Sequence, residues 1–366
     1  MPFSNREIID AVEAAGVIGA GGGGFPAHVK IDAKADIVIA NGSECEPLLY
    51  SDKSHLMEST DKIIAGTELI MEAMGAKQGY IAIKGHYQDV VNHVRQCIPS
   101  DSRIQVHSLD NYYPAGDEFL TVYDVSGRVI PEGGLPLDVG VVVSNVVSLA
   151  QISDAMGGKP VTERPVTIAG SVASPSVYSA PIGTPYRDLI RKAGGSLNPD
   201  DVIIDGGPMM GMIINDLDQG ISKTTSGILS LPKNHFIVSM HRISISQMVK
   251  RSKAACCQCF RCSDLCPRNL LGHNLYPHKT MRTIDYIQSE PTEHITSAFL
   301  CSQCGVCELI ACDSMLLSPR KIYAEYRQLL KDRGITNPHQ RSGFNARESL
   351  PYGKVAIPVV LKKLGI

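Results

Sequence analysis

The chain has 366 residues with 35 Lys and Arg against 37 Asp and Glu, a formal charge of −2, so no global basic field marks a nucleic-acid binder. Its 43% hydrophobic and 20% charged content fits a globular protein with two or three cores. It offers no run of about 18 apolar residues for a membrane span. The start, "MPFSNREIIDAVEAAG", is no signal peptide, because Glu7, Asp10 and Glu13 interrupt it. It predicts an amphipathic helix, with Ser4 and Glu7 as a capping box and Ile8, Ile9, Val12 and Ala15 as the apolar stripe. The expected location is the cytoplasm, where thiols stay reduced and clustered cysteines point to metal.

Next comes "GVIGAGGGGFPAHVK", Gly16 to Lys30. Gly19, Gly21 and Gly24 match a dinucleotide fingerprint in spacing only, since the motif follows a helix where the fingerprint follows a strand. What remains is either a flexible loop or a backbone cradle for an anion, with Lys30 adding a cation. "ADIVIANGSECEPLL" predicts a buried strand ending at Asn41 in a polar turn. Strand carboxyl ends are where open α/β sheets bind ligands, so Asn41, Glu44 and Glu46 are candidates to hydrogen-bond a flavin, a ribose or a nicotinamide. The apolar runs "GYIAIKG" and "VGVVVSNVVSLAQI" continue the α/β alternation to about Met156. Between them, the acids of "YYPAGDEFL", Asp117 and Glu118, have a solvated loop as their default.

Eleven cysteines are unevenly distributed: five lie in "ACCQCFRCSDLCPR", four in "CSQCGVCELIAC", and only Cys45 and Cys97 precede them. Cys256, Cys259, Cys262 and Cys266-Pro267 follow C-x2-C-x2-C-x3-C-P, the [4Fe–4S] spacing in which the fourth cysteine serves the other cluster of a pair. Cys301, Cys304, Cys307 and Cys312 repeat it with one extra residue before the last cysteine and no proline. The expected ligation is therefore crossed. Cys256, Cys259, Cys262 and Cys312 form site I; Cys301, Cys304, Cys307 and Cys266 form site II. Zinc, the alternative for four thiolates, usually takes two separated C-x2-C pairs. Cys257 is left over, and Cys45 and Cys97 read as small packed residues. The intervening "NLLGHNLYPHKTMRTIDYIQ" reads as helix and loop; His273 and His278 could serve a metal or a corrin but read as surface or hydrogen-bonded residues.

The ordered set "GAGGGGFPAHVK", "NGSECEPLL", "YPAGDEFL", "PEGGLPLDVGVVVSNV", "DGGPMMG" and "KTTSGILSLP" before two cubane motifs resembles the flavin/iron–sulfur family. That family includes the NADH-binding flavin subunit of respiratory complex I, the RnfC-type electron-transport subunit and the cobalamin reductases of the PduS type. "RSKAACCQCFRCSDLCPRNLLGHNLYPHKTMR" is particularly similar to the last branch. The resemblance implies an α/β chain of four parts: a Rossmann-like FMN/NADH domain at 1–160, a β-grasp SLBB domain at 161–232, an iron–sulfur domain at 233–330 and a tail at 331–366. It implies that Gly19, Ala20, Gly21 and Lys30 meet the flavin phosphate and that Asn41 and Glu44 lie beside the ring. Tyr113, Gly116, Asp117, Glu118 and Asn145 complete the pocket, and Phe25 and Glu46 sit near the nicotinamide, with Glu118 and Glu46 as the catalytic candidates. Ala20 and Ser43 stand where the complex I branch carries an arginine and an acid, which weakens the case for tight NADH binding.

The implied activity passes electrons from NADH through FMN and two [4Fe–4S] clusters to a corrinoid such as cobalamin, in or at the shell of a bacterial microcompartment. The implied partners are NADH, a corrinoid system and a microcompartment shell protein, with no nucleic acid. The alternatives are an RnfC-like subunit of a membrane complex, disfavoured because the glycine loop begins by Gly16, and an electron conduit docked to a partner enzyme or shell. Relatives of the closest branch tend to continue beyond the apolar end of "NPHQRSGFNARESLPYGKVAIPVVLKKLGI", so a shortened chain is also expected.

Overall fold

The structure, a computed structural model, describes residues 3–283 and 291–366; the end of the "NLLGHNLYPHKTMRTIDYIQ" segment lies outside the described residues. The first helix, Asn5–Ala14, starts as its sequence predicts: Ser4 Oγ accepts from the Glu7 amide, Glu7 reaches back to the Ser4 amide, and Ile8, Ile9 and Val12 are buried.

The first module carries β1 (Ile37–Asn41), β2 (Gln78–Lys84), β3 (Ile104–Leu109), the short β4 (Tyr112–Tyr113) and β5 (Val141–Asn145). Its main sheet has the order β3–β2–β1–β5 and is parallel throughout. β1 is apolar and buried on both faces because helices cover both. Ile37 and Ile39 pack toward Val122, Ile130 and Val141, while Val38 and Ala40 pack toward Ile8, Ile63, Ile70 and Leu149. The apolar run around residue 145 splits in two. Asn145 ends β5 and its Oδ1 caps the helix Val146–Ala155 by accepting from Val147 N.

The second module is a mixed sheet of β6 (Glu163–Gly170), β7 (Ser176–Pro181), β8 (Val202–Asp205), β9 (Met212–Ile214) and β10 (Gly227–Leu231), ordered β7–β6–β10–β8–β9. The helix Tyr186–Lys192 closes one face through Tyr186, Leu189 and Ile190. The cysteine segments follow in short helices and turns packed around Met248, Leu275, Met281, Tyr323 and Tyr326.

The end of the chain folds back onto the first module. β11 (Val355–Ala356) pairs antiparallel with β4, and Val360 and Leu364 of the helix Ile357–Leu364 enter a core shared with Tyr113, Met209 and Val306. That core joins the loops of the first module around Leu49 and Tyr113, the mixed sheet and the cysteine region, and it positions the site described next.

Candidate flavin and iron–sulfur site

The glycine loop is fixed at its ends and open in its middle. Gly19 N donates to Phe25 O and Gly24 N to Gly19 O, at 2.9 and 3.1 Å. Ala20 N donates to Ser148 Oγ at 2.8 Å, and Arg164 of β6 reaches Ala20 O at 3.4 Å. Lys223 Nζ donates to Gly16 O at 2.5 Å. Among the described residues the amides of Gly21, Gly22 and Gly23 have no protein partner, and a Cβ at Gly22 or Gly23 would meet nothing within 4 Å. Unpartnered amides on an open, side-chain-free loop fit a phosphate. Gly22 (φ +102°) and Gly24 (φ +63°) take backbone conformations that other residues seldom adopt.

Across from the loop stand the strand ends. Lys30 Nζ donates to Val143 O, in the middle of β5, at 2.9 Å and lies 3.9 Å from Glu118. Asn41 Nδ2 donates to Gly116 O at 2.9 Å, which ties the polar turn after β1 to the Tyr113–Glu118 segment. Gly116 must be small there, because a Cβ would lie 2.6 Å from Ser43 Oγ. Glu44 accepts from Ser51 Oγ and Lys53 N at 2.9 and 3.0 Å. Burial, with Asp52 as a neighbour, pushes the Glu44 carboxyl up, and burial pushes Asp52 up as well; two acids sharing one buried site do not both ionise readily. Asn145 Nδ2 donates to Asp52 Oδ2 at 2.8 Å. Burial also pushes the Lys84 ammonium down, while its Nζ lies 3.4 Å from Glu44 O.

Two of the expected pocket residues, Glu46 and Tyr113, are engaged with other parts of the chain. Phe25 is 50% exposed at the loop's outer end. Glu46 turns toward the mixed sheet, where its Oε2 accepts from Met209 N at 2.9 Å; its Oε1 has no partner among the described residues, and burial raises the carboxyl to about 7. Tyr113 is buried and its hydroxyl donates to Cys304 O at 2.6 Å. The solvated-loop default for Asp117 fails: its Oδ1 caps the helix Glu118–Ser126 and pairs with Arg268 at 2.5 Å, with side chains 9% and 8% exposed. Arg268 follows Cys266-Pro267 and stacks 3.8 Å above the Phe119 ring. Glu118, beside them, has its carboxyl raised mainly by burial.

The two cysteine loops share one backbone. Gln258 (φ +56°) and Phe260 (φ +63°) flank Cys259 as Gln303 (φ +61°) and Gly305 (φ +83°) flank Cys304. In each loop a glutamine amide nitrogen faces the first sulfur: Gln303 Nε2 lies 3.3 Å from Cys301 Sγ, and Gln258 Nε2 lies 4.0 Å from Cys256 Sγ. Cys266, Cys301, Cys304 and Cys307 line one small cavity, together with Arg320 and Tyr323. After burial, the neighbours that push the Cys262 thiol up are Cys312, Cys256 and Cys259. The structure thus sets Cys312 near the first cysteine triplet and Cys266 near the second. The extra residue before Cys312 is absorbed by a π-helical turn, Val306–Ala311, where the first loop makes an ordinary turn, Arg261–Asp264. Cys262 and Cys307 pack together at the seam between the sites. Two groups of four thiols, with no carboxylate or imidazole among them, are a donor set that fits [4Fe–4S] clusters.

Cys257 and Cys259 are exposed at site I, whereas at site II Cys266 and Cys307 are buried and Cys301 and Cys304 half-buried. His273 is buried with Nε2 3.0 Å from Ile130 O, and His278 Nδ1 lies 2.7 Å from Ser263 Oγ, so both are hydrogen-bonded. Cys97 ends the helix Gln88–Cys97, while Cys45 packs beneath Gly116 with its thiol pushed up to about 12 by burial. Asp52, Lys84, Arg164 and Arg320 stand in no motif, so sequence spacing does not single them out. Only the position of Arg268, directly after Cys-Pro, was a signal.

Residues 12–154 match the Nuo51 FMN-binding domain, 165–213 the SLBB domain and 255–317 the 4Fe–4S dicluster domain. Over 366 residues the chain is 38% identical to the cobalamin reductase PduS of Citrobacter freundii, covering 100% of this chain and 80% of that one. The chain belongs to the PduS cobalamin-reductase family. A second relative is one subunit of the proton-translocating ferredoxin:NAD(+) oxidoreductase complex of Clostridium ljungdahlii, 35% identical over 73% of this chain and 57% of that one. The fold also resembles a chain in a crystal structure of an NAD+-reducing [NiFe]-hydrogenase in its H2-reduced state, with TM-score 0.55 and 19% identity over 91% of this chain and 62% of that one. The FMN and paired [4Fe–4S] expectations therefore rest on matched domains as well as on the spacing.

Proposed function

We propose that the chain is an NADH-dependent flavin/iron–sulfur reductase that delivers electrons to a corrinoid. The observation that carries this reading is the cavity lined by Cys266, Cys301, Cys304 and Cys307, joined to the strand-end pocket by Tyr113 and by Asp117–Arg268. When bound, FMN takes a hydride from NADH and gives up electrons singly, for which two clusters form a relay.

The chain's own residues hold those groups. The amides of Gly21 to Gly23, with Ala20 beside them, meet the phosphate, and Lys30 supplies charge at the pocket mouth. Asn41, Glu44, Gly116 and Asn145 shape the ring site. Glu118 is the acid closest to the mouth, and Glu46 acts behind it through the Met209 loop. Tyr113 and Asp117 brace site II, the flavin-facing one. Cys256, Cys259, Cys262 and Cys312 would hold the second cluster at site I, where the exposed Cys259 would leave it open to an acceptor.

Identity over the whole chain favours this reading over the RnfC-type alternative, whose relative matches 73% of it. Among the described residues no helix is long and apolar enough to cross a membrane. A place in a bacterial microcompartment beside a shell protein follows from the sequence resemblance, and co-sedimentation with purified shells tests it. Cys262→Ser tests the relay: NADH oxidation with a small dye that meets flavin directly should persist, and corrin reduction should fall sharply. Undiminished corrin reduction by a flavin-loaded variant would end the relay model.

A further inference from the structure

The two cysteine loops share a backbone pattern but differ in what stands behind them. The residue after the third cysteine is Ser263 at site I and Glu308 at site II. Ser263 is paired with the imidazole of His278 at 2.7 Å. Glu308 is fully buried and lies 2.6 Å from Arg320 Nε. That contact is off the N–H direction, so it is an ion pair rather than an aligned hydrogen bond, and Glu308 Oε1 has no donor among the described residues.

Arg320 is tied down on every side. Its Nη1 donates to Met209 O at 2.6 Å, and its own carbonyl accepts from Gln303 Nε2, which also faces Cys301 Sγ. Gly305 makes room for it, since a Cβ there would lie 3.4 Å from Arg320 Nη1 and 2.7 Å from Met209 O. Arg320 lines the site II cavity and Glu308 does not. A group in that cavity meets the cation first and the carboxylate behind it.

We infer that Arg320 is a positioning residue that raises the reduction potential of the site II cluster, with Glu308 setting how far. The inference rests on the two-cluster reading above. Each reduction adds one electron and no bond, so the cluster becomes more negative by one charge. A fixed cation stabilises that change, and a buried, weakly screened site makes the effect large. Arg268, paired with Asp117 as Arg320 is with Glu308, and Arg327, which donates to the carbonyls of Ala298 and Cys301, also border site II and add to the same positive field. Site I has the neutral serine–histidine pair at the equivalent place. Arg320 would thereby make a site II cluster easier to reduce than the same cluster without that cation. Met209 extends the link, because its amide holds Glu46 while its carbonyl holds Arg320.

The test is an anaerobic redox titration followed by electron paramagnetic resonance on the full, loaded chain. Cys259→Ser, which breaks site I, identifies the site II signal. Arg320→Gln should lower the site II midpoint potential, Glu308→Gln should raise it, Arg320→Lys should stay near wild type, and the site I midpoint should move least. Loosened packing would not give shifts of opposite sign from two changes that each remove one charge. If Arg320→Gln does not fold, the rise in Glu308→Gln and the retention in Arg320→Lys still decide the matter. Two intact clusters with an unmoved site II midpoint, or with same-sign shifts in both glutamine variants, overturn the inference alone. A wild-type chain holding one cluster overturns the two-cluster reading and the inference with it.

Discussion

Removing Arg268 attacks the joint between the flavin pocket and the cluster region. Its guanidinium is 2.5 Å from Asp117 Oδ1, both side chains are less than a tenth exposed, and the cation stacks 3.8 Å above Phe119. Truncating one partner of a buried pair leaves the other charge uncompensated and costs about 3–5 kcal/mol. The lost cation–π contact, about 0.5–2 kcal/mol at such sites, lies partly within that figure. Asp117 keeps the amides of Phe119 and Leu120 as donors, which places Arg268→Ala toward the lower end. We expect Arg268→Ala to lose about 3 kcal/mol, read from the urea midpoint at unchanged slope by far-ultraviolet circular dichroism under anaerobic conditions. The double variant Arg268→Met with Asp117→Asn should recover much of the loss, because asparagine keeps the helix cap and no charge is left unpaired. A loss below about 1 kcal/mol for Arg268→Ala, or a double variant worse than the sum of its parts, would refute the reasoning.

Lys30→Ala should weaken FMN retention by about 1.5–3 kcal/mol, measured by flavin released on dilution; unchanged retention places the phosphate elsewhere. Glu46 titrates at about 7 when folded and 4.5 when free, because burial favours its protonated form. Its stabilising effect is therefore complete below pH 4.5 and is lost as pH rises toward 7. Glu46→Gln stays neutral, so unfolding midpoints measured across that range should fall less with pH than in wild type; parallel curves count against the buried carboxyl. Gly305→Ala forces a Cβ to 2.7 Å from Met209 O at φ +83°, and should empty site II while sparing site I. About four irons per chain are then expected, and a full complement would show that the turn tolerates a side chain.

Local signals were legible wherever chemistry and neighbours in sequence coincide. The Ser4–Glu7 box started the first helix, the apolar run into Asn41 formed a buried parallel strand, and the spacing of nine clustered cysteines ordered eight of them into two crossed groups. Long-range joints were not legible. Tyr113 meets Cys304 across 191 residues and Arg268 meets Asp117 across 151, and nothing near either residue announces its partner. The extra residue before Cys312 looked like a departure from the motif, but a π turn is set by packing and takes it up. Asp117 looked like a solvated loop acid because the cation that buries it comes from another module. The closing segment read as a punctuated tail, yet β11 pairs with β4, a register that depends on the whole fold being in place.

The central claim is one FMN and two crossed cubane clusters in a single chain. Iron, acid-labile sulfide and flavin counted on the same anaerobically purified sample test it most directly. About eight irons, about eight sulfides and one flavin per chain are predicted. Stoichiometric zinc without labile sulfide, or iron without flavin, would contradict it.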